Sequence, residues 1–199
     1  SVAVVHNGTI DNYLEIRESL ESEGHTFRSD SDSEVLPLLI SKHYSGNLVE
    51  AVHKTLDEIE GIFTIAAIHK DSPDEIVSVR NETPLVVGLG NSENFIASDI
   101  YAILKYTQQI VYPEDYQIVR VTAGKIEVFD RDLTLIDYNV EKVEKYTEVA
   151  EKGGYEHYML KEIFEQPKAL QDSLNELLTE SPLENLGLNW KLGRISIVA

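Results

Sequence analysis

The order of hydrophobic patterns along the chain constrains its fold most. Apolar residues recur at helical spacing in three segments between residues 12 and 60. Residues 61–138 instead carry short segments rich in β-branched residues, separated by turn signals. Helical spacing returns from Tyr155 to Leu178, where Pro167 is expected to divide two helices. Because helical and strand segments do not alternate, this order predicts an α+β fold with helices packed on largely antiparallel sheets.

Composition limits the partners and the chemistry. The net charge of −18 disfavours binding to nucleic acid or to an anionic membrane. No apolar run approaches the roughly 20 residues that span a bilayer, and no secretory leader is visible, so a cytoplasmic location is expected. The chain has no cysteine, which excludes disulfides and thiolate catalysis within it. Its six histidines lack metal-binding spacing, and no metal or cofactor is predicted.

Both ends of the chain are interpreted as internal to a longer polypeptide. Residues 1–5 start inside an apolar, strand-like run without an initiator methionine. Residues 194–199 form another short β-branched run with nothing after it to pair with or cover it. Native termini are usually surface segments that tolerate fraying, not core strands.

The dipeptide Asn7-Gly8 is the first candidate for chemistry. After the first strand, His6-Asn7-Gly8 is predicted to form a turn, and a plain type I′ hairpin turn is one interpretation of it. An amphipathic helix follows instead of a second strand, which favours another interpretation. The side-chain NH₂ of Asn7 and the backbone N–H of Gly8 can converge on a developing oxyanion, and glycine lets a carbonyl approach closely. His6 is expected to orient the turn rather than transfer protons.

Two capping boxes are predicted before helices. One runs from Asn12 to Glu15, and the other runs from Ser31 to Glu34. A third helix is expected to start near Asn47. Asp32, inside the second box, can simply favour the start of a helix. It can equally supply a carboxylate that binds a substrate ammonium group.

Four segments at consistent spacing resemble the class II glutamine amidotransferases of the N-terminal-nucleophile (Ntn) hydrolase superfamily. They cover nearly the whole chain: residues 4–13 around His6-Asn7-Gly8, residues 29–34 (SDSDSE), residues 83–99, and residues 154–167 (GYEHYMLKEIFEQP). The His-Asn-Gly motif is shared across the superfamily. The last segment is more specific and is similar to the branch of the class that aminates fructose 6-phosphate. Another amidotransferase of the superfamily is the alternative, and it requires a different downstream domain.

The resemblance implies an enzyme that moves the amide nitrogen of glutamine to fructose 6-phosphate, giving glucosamine 6-phosphate and glutamate. It implies that Asn7 and the N–H of Gly8 form an oxyanion hole. It also implies that Gly8 and Asp32 bind the substrate, with Asp32 holding the α-ammonium group.

The resemblance implies an α/β/β/α sandwich of antiparallel sheets between helices, without its leading strands. Residues 1–150 are interpreted as a partial glutaminase domain. Residues 151–199 are interpreted as connector helices and, at residues 195–199, the first strand of a sugar isomerase α/β domain. A homodimer formed through the rest of that isomerase domain is expected.

The chain departs from the family pattern at the nucleophile. The family uses an amino-terminal cysteine and an upstream Arg-Trp-Ala-Thr-His segment, and both are absent here. Ser1 aligns with an internal position and is not expected to replace the cysteine. The isolated chain is therefore expected to hydrolyse no glutamine and to convert no sugar phosphate. A non-catalytic binding or assembly module derived from such an enzyme is the competing interpretation.

Overall fold

A computed structural model describes residues 1–143 and 153–180 of the chain. The chain divides into two compact units, Ser1–Tyr146 and Thr147–Ala199. The helices and strands of the first unit are β1 (Val2–Ile10), α1 (Tyr13–Ser22), α2 (Val35–His43), α3 (Leu48–Leu56), β2 (Gly61–His69), β3 (Ser72–Asn81), β4 (Val86–Leu89), β5 (Asn94–Ala97), β6 (Gln109–Val111), β7 (Ile118–Thr122), β8 (Ile126–Phe129), β9 (Leu135–Ile136) and β10 (Glu141–Lys142). Two 3₁₀ turns, Asp32–Glu34 and Ile100–Ala102, complete it.

The strands of the first unit form two antiparallel sheets. The large sheet has the order β1-β2-β3-β7-β8-β9, and the small sheet has the order β10-β6-β4-β5. Strand β1 lies at one end of the large sheet and pairs with β2 along its whole length. Strand β5 lies at one end of the small sheet. Residues of both end strands contribute to the candidate site.

The helices pack on one face of the large sheet. Their apolar faces and the sheet residues beneath them form the main core, whose members include Leu20, Leu36, Leu39, Val52, Phe63, Ile65 and Val79. The opposite face of the large sheet packs on the small sheet through a second core of Val87, Val111, Val119, Val121, Ile126 and Val128. The layers are therefore helices, large sheet and small sheet, which confirms the predicted α+β class.

The outer face of the small sheet is covered differently. A third apolar cluster contains Val86, Ile103 and Ile110, with Phe95 and Ile100 packed against it. The covering segment is the 3₁₀ turn Ile100–Ala102 and the residues after it. Within residues 1–143, α-helices cover the large sheet alone, so the second helical layer of the predicted sandwich is absent from this part of the chain.

The predicted helix starts agree with the structure to different degrees. Asn47 caps α3, and its side-chain oxygen accepts the N–H groups of Val49 and Glu50. Asn12 precedes α1 but makes no side-chain cap. Its amide instead donates to the carbonyl of Glu58 and accepts the N–H of Glu60. The capping prediction was wrong there because the side chain of Asn12 bonds to the backbone of residues 58 and 60 instead.

The second unit, where it is described, contains one helix, α4 (Tyr158–Glu180). The predicted division at Pro167 was wrong, since the helix continues through this residue. Proline removes one backbone hydrogen bond from the helix, to the carbonyl of Ile163. Ile163 is exposed, so that carbonyl can be hydrated. The strand predicted at residues 195–199 lies outside the described residues.

No helix in residues 1–143 and 153–180 is both long enough and apolar enough to cross a membrane.

Candidate functional site

Asn7 and Gly8 lie inside β1 and not in a turn. They pair with Thr64 and Phe63 of β2, and the pairing continues without interruption to Ile10. The predicted turn was wrong because the partner strand extends the ladder past the dipeptide. Gly8 has a φ of 115°, a value that L side chains rarely adopt. A β-carbon at this position would lie 2.0 Å from the carbonyl oxygen of Ile62, so only glycine fits here.

The side chain of Asn7 faces a small cavity between the two sheets. The cavity has a volume of about 160 Å³ and is lined by Val5, His6, Asn7, Thr64, Ala66, Leu85, Ile96, Ala97 and Ser98. Asn7 is exposed, and its amide makes no hydrogen bond with any other residue in the described part of the chain. A polar amide that opens onto a cavity without an internal partner is available to a ligand.

Asp32 lies next to the end of β1. Its Oδ2 atom accepts the backbone N–H of Ile10 at 2.9 Å, across 22 residues of sequence. Partial burial by itself raises the pKa of Asp32. The hydrogen bond from Ile10, the nearby His6 and the hydrogen bonds of Ser33 outweigh burial, and the net effect lowers the pKa. Asp32 is therefore ionised at neutral pH.

A network of hydrogen bonds holds the turn that carries Asp32. The carboxylate of Glu34 accepts the N–H groups of Arg28 and Ser29 and the Ser29 hydroxyl. The Ser31 hydroxyl accepts the N–H of Ser33. In the predicted capping box Glu34 would have reached back to the N–H of Ser31. It reaches further, to residues 28 and 29, and so closes a wider turn.

His6 joins this turn to β1. Its Nδ1 atom lies 2.8 Å from Oγ of Ser33, and its Nε2 atom is buried and lacks a hydrogen-bond partner in the described part of the chain. Burial lowers the pKa of His6 below its ordinary value, although the charge of Asp32 acts in the opposite direction. The ring is therefore neutral at pH 7. The sequence predicted that His6 orients a turn at residues 6–8; the structure has a strand there, and His6 instead bonds to the turn that carries Asp32.

The three predicted site residues lie on or beside β1: Asp32 bonds to its outer edge at Ile10, and the side chain of Asn7 faces the cavity. Backbone N–H groups along a strand point alternately to its two sides. Asp11 and Ser1 bond toward the β2 side, so even-numbered residues such as Gly8 and Ile10 are expected to point their N–H groups outward. Asp32 occupies the N–H of Ile10. Gly8 and Asn7 are thus two and three residues along β1 from Ile10, the position that Asp32 binds.

The sequence did not single out the opposite wall of the cavity. Leu85, Ile96, Ala97 and Ser98 come from the loop before β4, from β5 and from the residue that follows β5. The signal was present, because residues 83–99 resemble the family without a role attached to them. From the large sheet, Thr64 adds a hydroxyl that is already bonded to Thr83. In residues 1–143 and 153–180 no cluster of three or more His, Asp or Glu side chains could hold a metal.

Comparison with known protein families identifies the class. Residues 1–105 match the glutamine amidotransferase domain family, and this match covers more than half of the 199 residues. The chain belongs to the glutamine amidotransferase family.

Individual relatives show which members of this family the chain is similar to. The chain is 49% identical over 174 residues to the glutamine–fructose-6-phosphate aminotransferase (isomerizing) of Fusobacterium nucleatum, which covers 87% of this chain and 29% of that protein. It is 44% identical over 205 residues to the protein of the same name from Caldanaerobacter subterraneus, which covers 100% of this chain and 34% of that protein. The chain therefore spans about a third of the length of these relatives.

Solved structures support the fold. The chain resembles the glutamine phosphoribosylpyrophosphate amidotransferase of B. subtilis with a TM-score of 0.57 and 20% identity, over 67% of this chain and 30% of that one. A structure described as the allosteric regulatory enzyme of purine biosynthesis matches with the same TM-score and 19% identity, over 67% of this chain and 29% of that one. At this level of identity the two matches concern the fold alone, and the described sheets and helices share the fold of these two structures.

Proposed function

We propose that this chain is part of a glutamine–fructose-6-phosphate aminotransferase and supplies half of its glutamine pocket. In this proposal Asn7 and the N–H of Gly8 form the oxyanion hole, and Asp32 binds the α-ammonium group of glutamine. One observation carries the proposal. Along β1, the unpartnered amide of Asn7 and the N–H of Gly8 lie three and two residues from Ile10, whose N–H is bound by the ionised carboxylate of Asp32.

The chemistry follows from this arrangement. A thiolate that attacks the carboxamide carbon of glutamine places negative charge on the carboxamide oxygen. Two fixed donors, the Asn7 amide and the Gly8 N–H, stabilise that charge more than they stabilise the neutral carbonyl. Gly8 has no side chain to hold the carbonyl away. Ammonia leaves, the γ-glutamyl thioester is hydrolysed, and the released ammonia serves the amination of fructose 6-phosphate.

The charge on Asp32 suits its proposed role. Its lowered pKa keeps the carboxylate ionised down to acidic pH, so it attracts an ammonium group across the neutral range. The carboxylate also accepts the N–H of Ile10, and this bond fixes its position relative to Gly8 two residues earlier. In this proposal, β1 and the turn beside it set the distance between the carboxylate that binds the ammonium group and the Gly8 N–H that binds the carboxamide oxygen.

The nucleophile and the acceptor-sugar site belong, in this proposal, to parts of the enzyme outside these 199 residues. The chain contains no cysteine. We expect the isolated chain to release no ammonia from glutamine, measured against a blank by a coupled glutamate assay. Measurable release by the purified chain would contradict this division of the active site.

A non-catalytic module is the second candidate, and the absence of cysteine is the observation that favours it. The two candidates differ in the reading frame upstream of Ser1. An in-frame Met-Cys-Gly at the start of the protein supports the enzyme. A genuine start near Ser1 supports the module.

Asp32→Asn tests the ammonium site. Asparagine keeps the shape of the side chain and can still accept the N–H of Ile10, but it loses the charge. In the complete enzyme we expect the KM for glutamine to rise about ten- to a hundredfold with a much smaller change in kcat, because a hydrogen bond to a charged group contributes about 1.5–3 kcal/mol. Glutaminase kinetics over a range of glutamine concentrations measure both constants.

Asp30→Asn is the matched control. Asp30 lies in the same turn, but its side chain is fully exposed and pairs at the surface with Arg17. Exposed ion pairs contribute little, so the control should keep the parent KM. An unchanged KM in the Asp32 variant would remove the ammonium site from the proposal.

A further inference from the structure

We propose that His6 is a positioning residue that sets the distance between the oxyanion hole and the ammonium site. This inference rests on the function proposed above. The observation behind it is a second connection between β1 and the turn that holds Asp32.

Two hydrogen bonds join this turn to β1, and they involve consecutive residues. Asp32 accepts the N–H of Ile10 at 2.9 Å, and Ser33 bonds through Oγ to Nδ1 of His6 at 2.8 Å. On β1 the two anchoring points are four residues apart, with Asn7 and Gly8 between them. One bond alone leaves the turn free to pivot about a single point. Two bonds at separate points fix its orientation along the strand.

The side chain of His6 lies on the other face of β1 from that of Asn7. Side chains along a strand alternate between its faces, so His6 shares a face with Val4 and Ile10, on the side of the helices. Val4 and Ile10 pack with the main core on that side. Asn7 points to the opposite face, toward the small sheet. The contact that His6 makes on its own face is the bond to Ser33, and in this proposal it acts through that bond.

The environment of His6 favours an uncharged ring, as the proposed positioning role requires. Burial lowers the pKa of His6, and the ring carries no charge at neutral pH. A protonated imidazole in this place would compete with the substrate ammonium for the carboxylate of Asp32. A neutral ring holds the turn by a hydrogen bond and leaves the charge of Asp32 available.

The turn itself does not depend on His6. Glu34 binds the N–H groups of Arg28 and Ser29, and Ser31 binds the N–H of Ser33. Removing the imidazole therefore leaves the turn closed while its orientation against β1 loosens. The loss should fall on the binding of the ammonium group and not on the chemical step.

The experiment measures glutaminase kinetics of His6→Ala in the complete enzyme with two substrates. One is glutamine, and the other is glutaramate, which has the same carboxamide and carboxylate but lacks the α-ammonium group. We expect the KM for glutamine to rise about three- to tenfold, the effect of one hydrogen bond, with kcat nearly unchanged. The kinetic constants for glutaramate should change less than twofold.

Two further variants separate positioning from general damage. Ser33→Ala should reproduce the effect of His6→Ala, because it removes the other partner of the same bond. His6→Asn, which places an amide near the position of Nδ1, should restore part of the loss. His53→Ala is the control, since His53 is also half-buried and also makes one ring hydrogen bond, to the carbonyl of Arg131 on a different part of the unit. It should leave both substrates unaffected.

The outcomes are distinguishable. Equal losses for glutamine and glutaramate would show a merely structural role for His6 and overturn the inference. No loss for either substrate would overturn it as well. If Asn7→Ala and Asp32→Asn also leave glutaminase activity unchanged, the proposed function itself fails. If those two variants are impaired and the His6 variant is not, only the positioning role fails.

Discussion

Asn7→Ala is expected to lower the glutaminase kcat of the complete enzyme by about 10²–10³, the usual effect of removing one oxyanion-hole donor. The physical reason is specific to the transition state. The Asn7 amide has no partner within the described structure, so the loss of its NH₂ group disrupts no internal hydrogen bond. The KM for glutamine should therefore change little, and steady-state ammonia release measures both constants.

Thr9→Ala is the control for this result. Thr9 lies two residues further along β1, on the same face as Asn7, and is likewise exposed. Its hydroxyl bonds only to the surface residue Asp11. The control should retain the parent kcat within about twofold, as expected for a surface substitution. An Asn7 variant that matches this control would show that the amide does not contact the oxyanion.

Gly8→Ala is expected to have the second large effect, on both stability and activity. Alanine at a φ of 115° is strained by about 1–3 kcal/mol. Its β-carbon would also stand 2.0 Å from the carbonyl oxygen of Ile62, so β1 must move away from β2. Such a movement shifts the N–H that completes the oxyanion hole. We expect a lower melting temperature and a loss of glutaminase activity at least as large as that of Asn7→Ala.

Substitutions at two other glycines distinguish the two causes of this effect, which are backbone strain and steric overlap of the added β-carbon. Gly24 also has a positive φ, of 94°, but a β-carbon there would meet nothing within 4 Å. Gly124 has neither the strained backbone nor a close neighbour. Thermal unfolding should rank Gly8→Ala as the most damaging, Gly24→Ala as intermediate and Gly124→Ala as nearly neutral. A Gly8 variant that unfolds like the Gly24 variant would mean that β1 tolerates the extra atom.

Local features that depend on nearby residues could be predicted from the sequence. The cap at Asn47 needs only the N–H groups of residues 49 and 50, and it forms as expected. Strand β5 (Asn94–Ala97) lies within residues 61–138, where short strands are predicted, and its apolar run is short and flanked by turn residues. The helices, strands and overall α+β class follow from the same local periodicities.

Features that depend on distant residues could not be predicted in the same way. Asn-Gly favours a turn in isolation, but pairing with β2 more than fifty residues later keeps Asn7 and Gly8 in a strand. Asn12 does not cap α1 because its side-chain amide forms hydrogen bonds with the backbone of residues 58 and 60. The bond between His6 and Ser33 crosses 27 residues and has no signature in either segment alone.

The candidate site shows the same division. The family resemblance named Asn7, Gly8 and Asp32, and the bond from Ile10 to Asp32 leaves all three on or beside β1. The wall formed by Leu85, Ile96 and Ser98 arises from the packing of the small sheet against the large one. Its residues are mostly apolar or small, and such residues carry no chemical signal in a sequence.

The most direct test is a crystal structure of the complete enzyme with glutamate bound in the glutaminase site. We expect a side-chain carboxylate oxygen of the ligand to lie about 2.7–3.1 Å from both Nδ2 of Asn7 and the backbone N of Gly8. We also expect the α-ammonium group to contact the carboxylate of Asp32. A ligand whose ammonium group binds elsewhere, or whose side chain reaches neither donor, would contradict the assignment of this edge of β1 as the glutamine pocket.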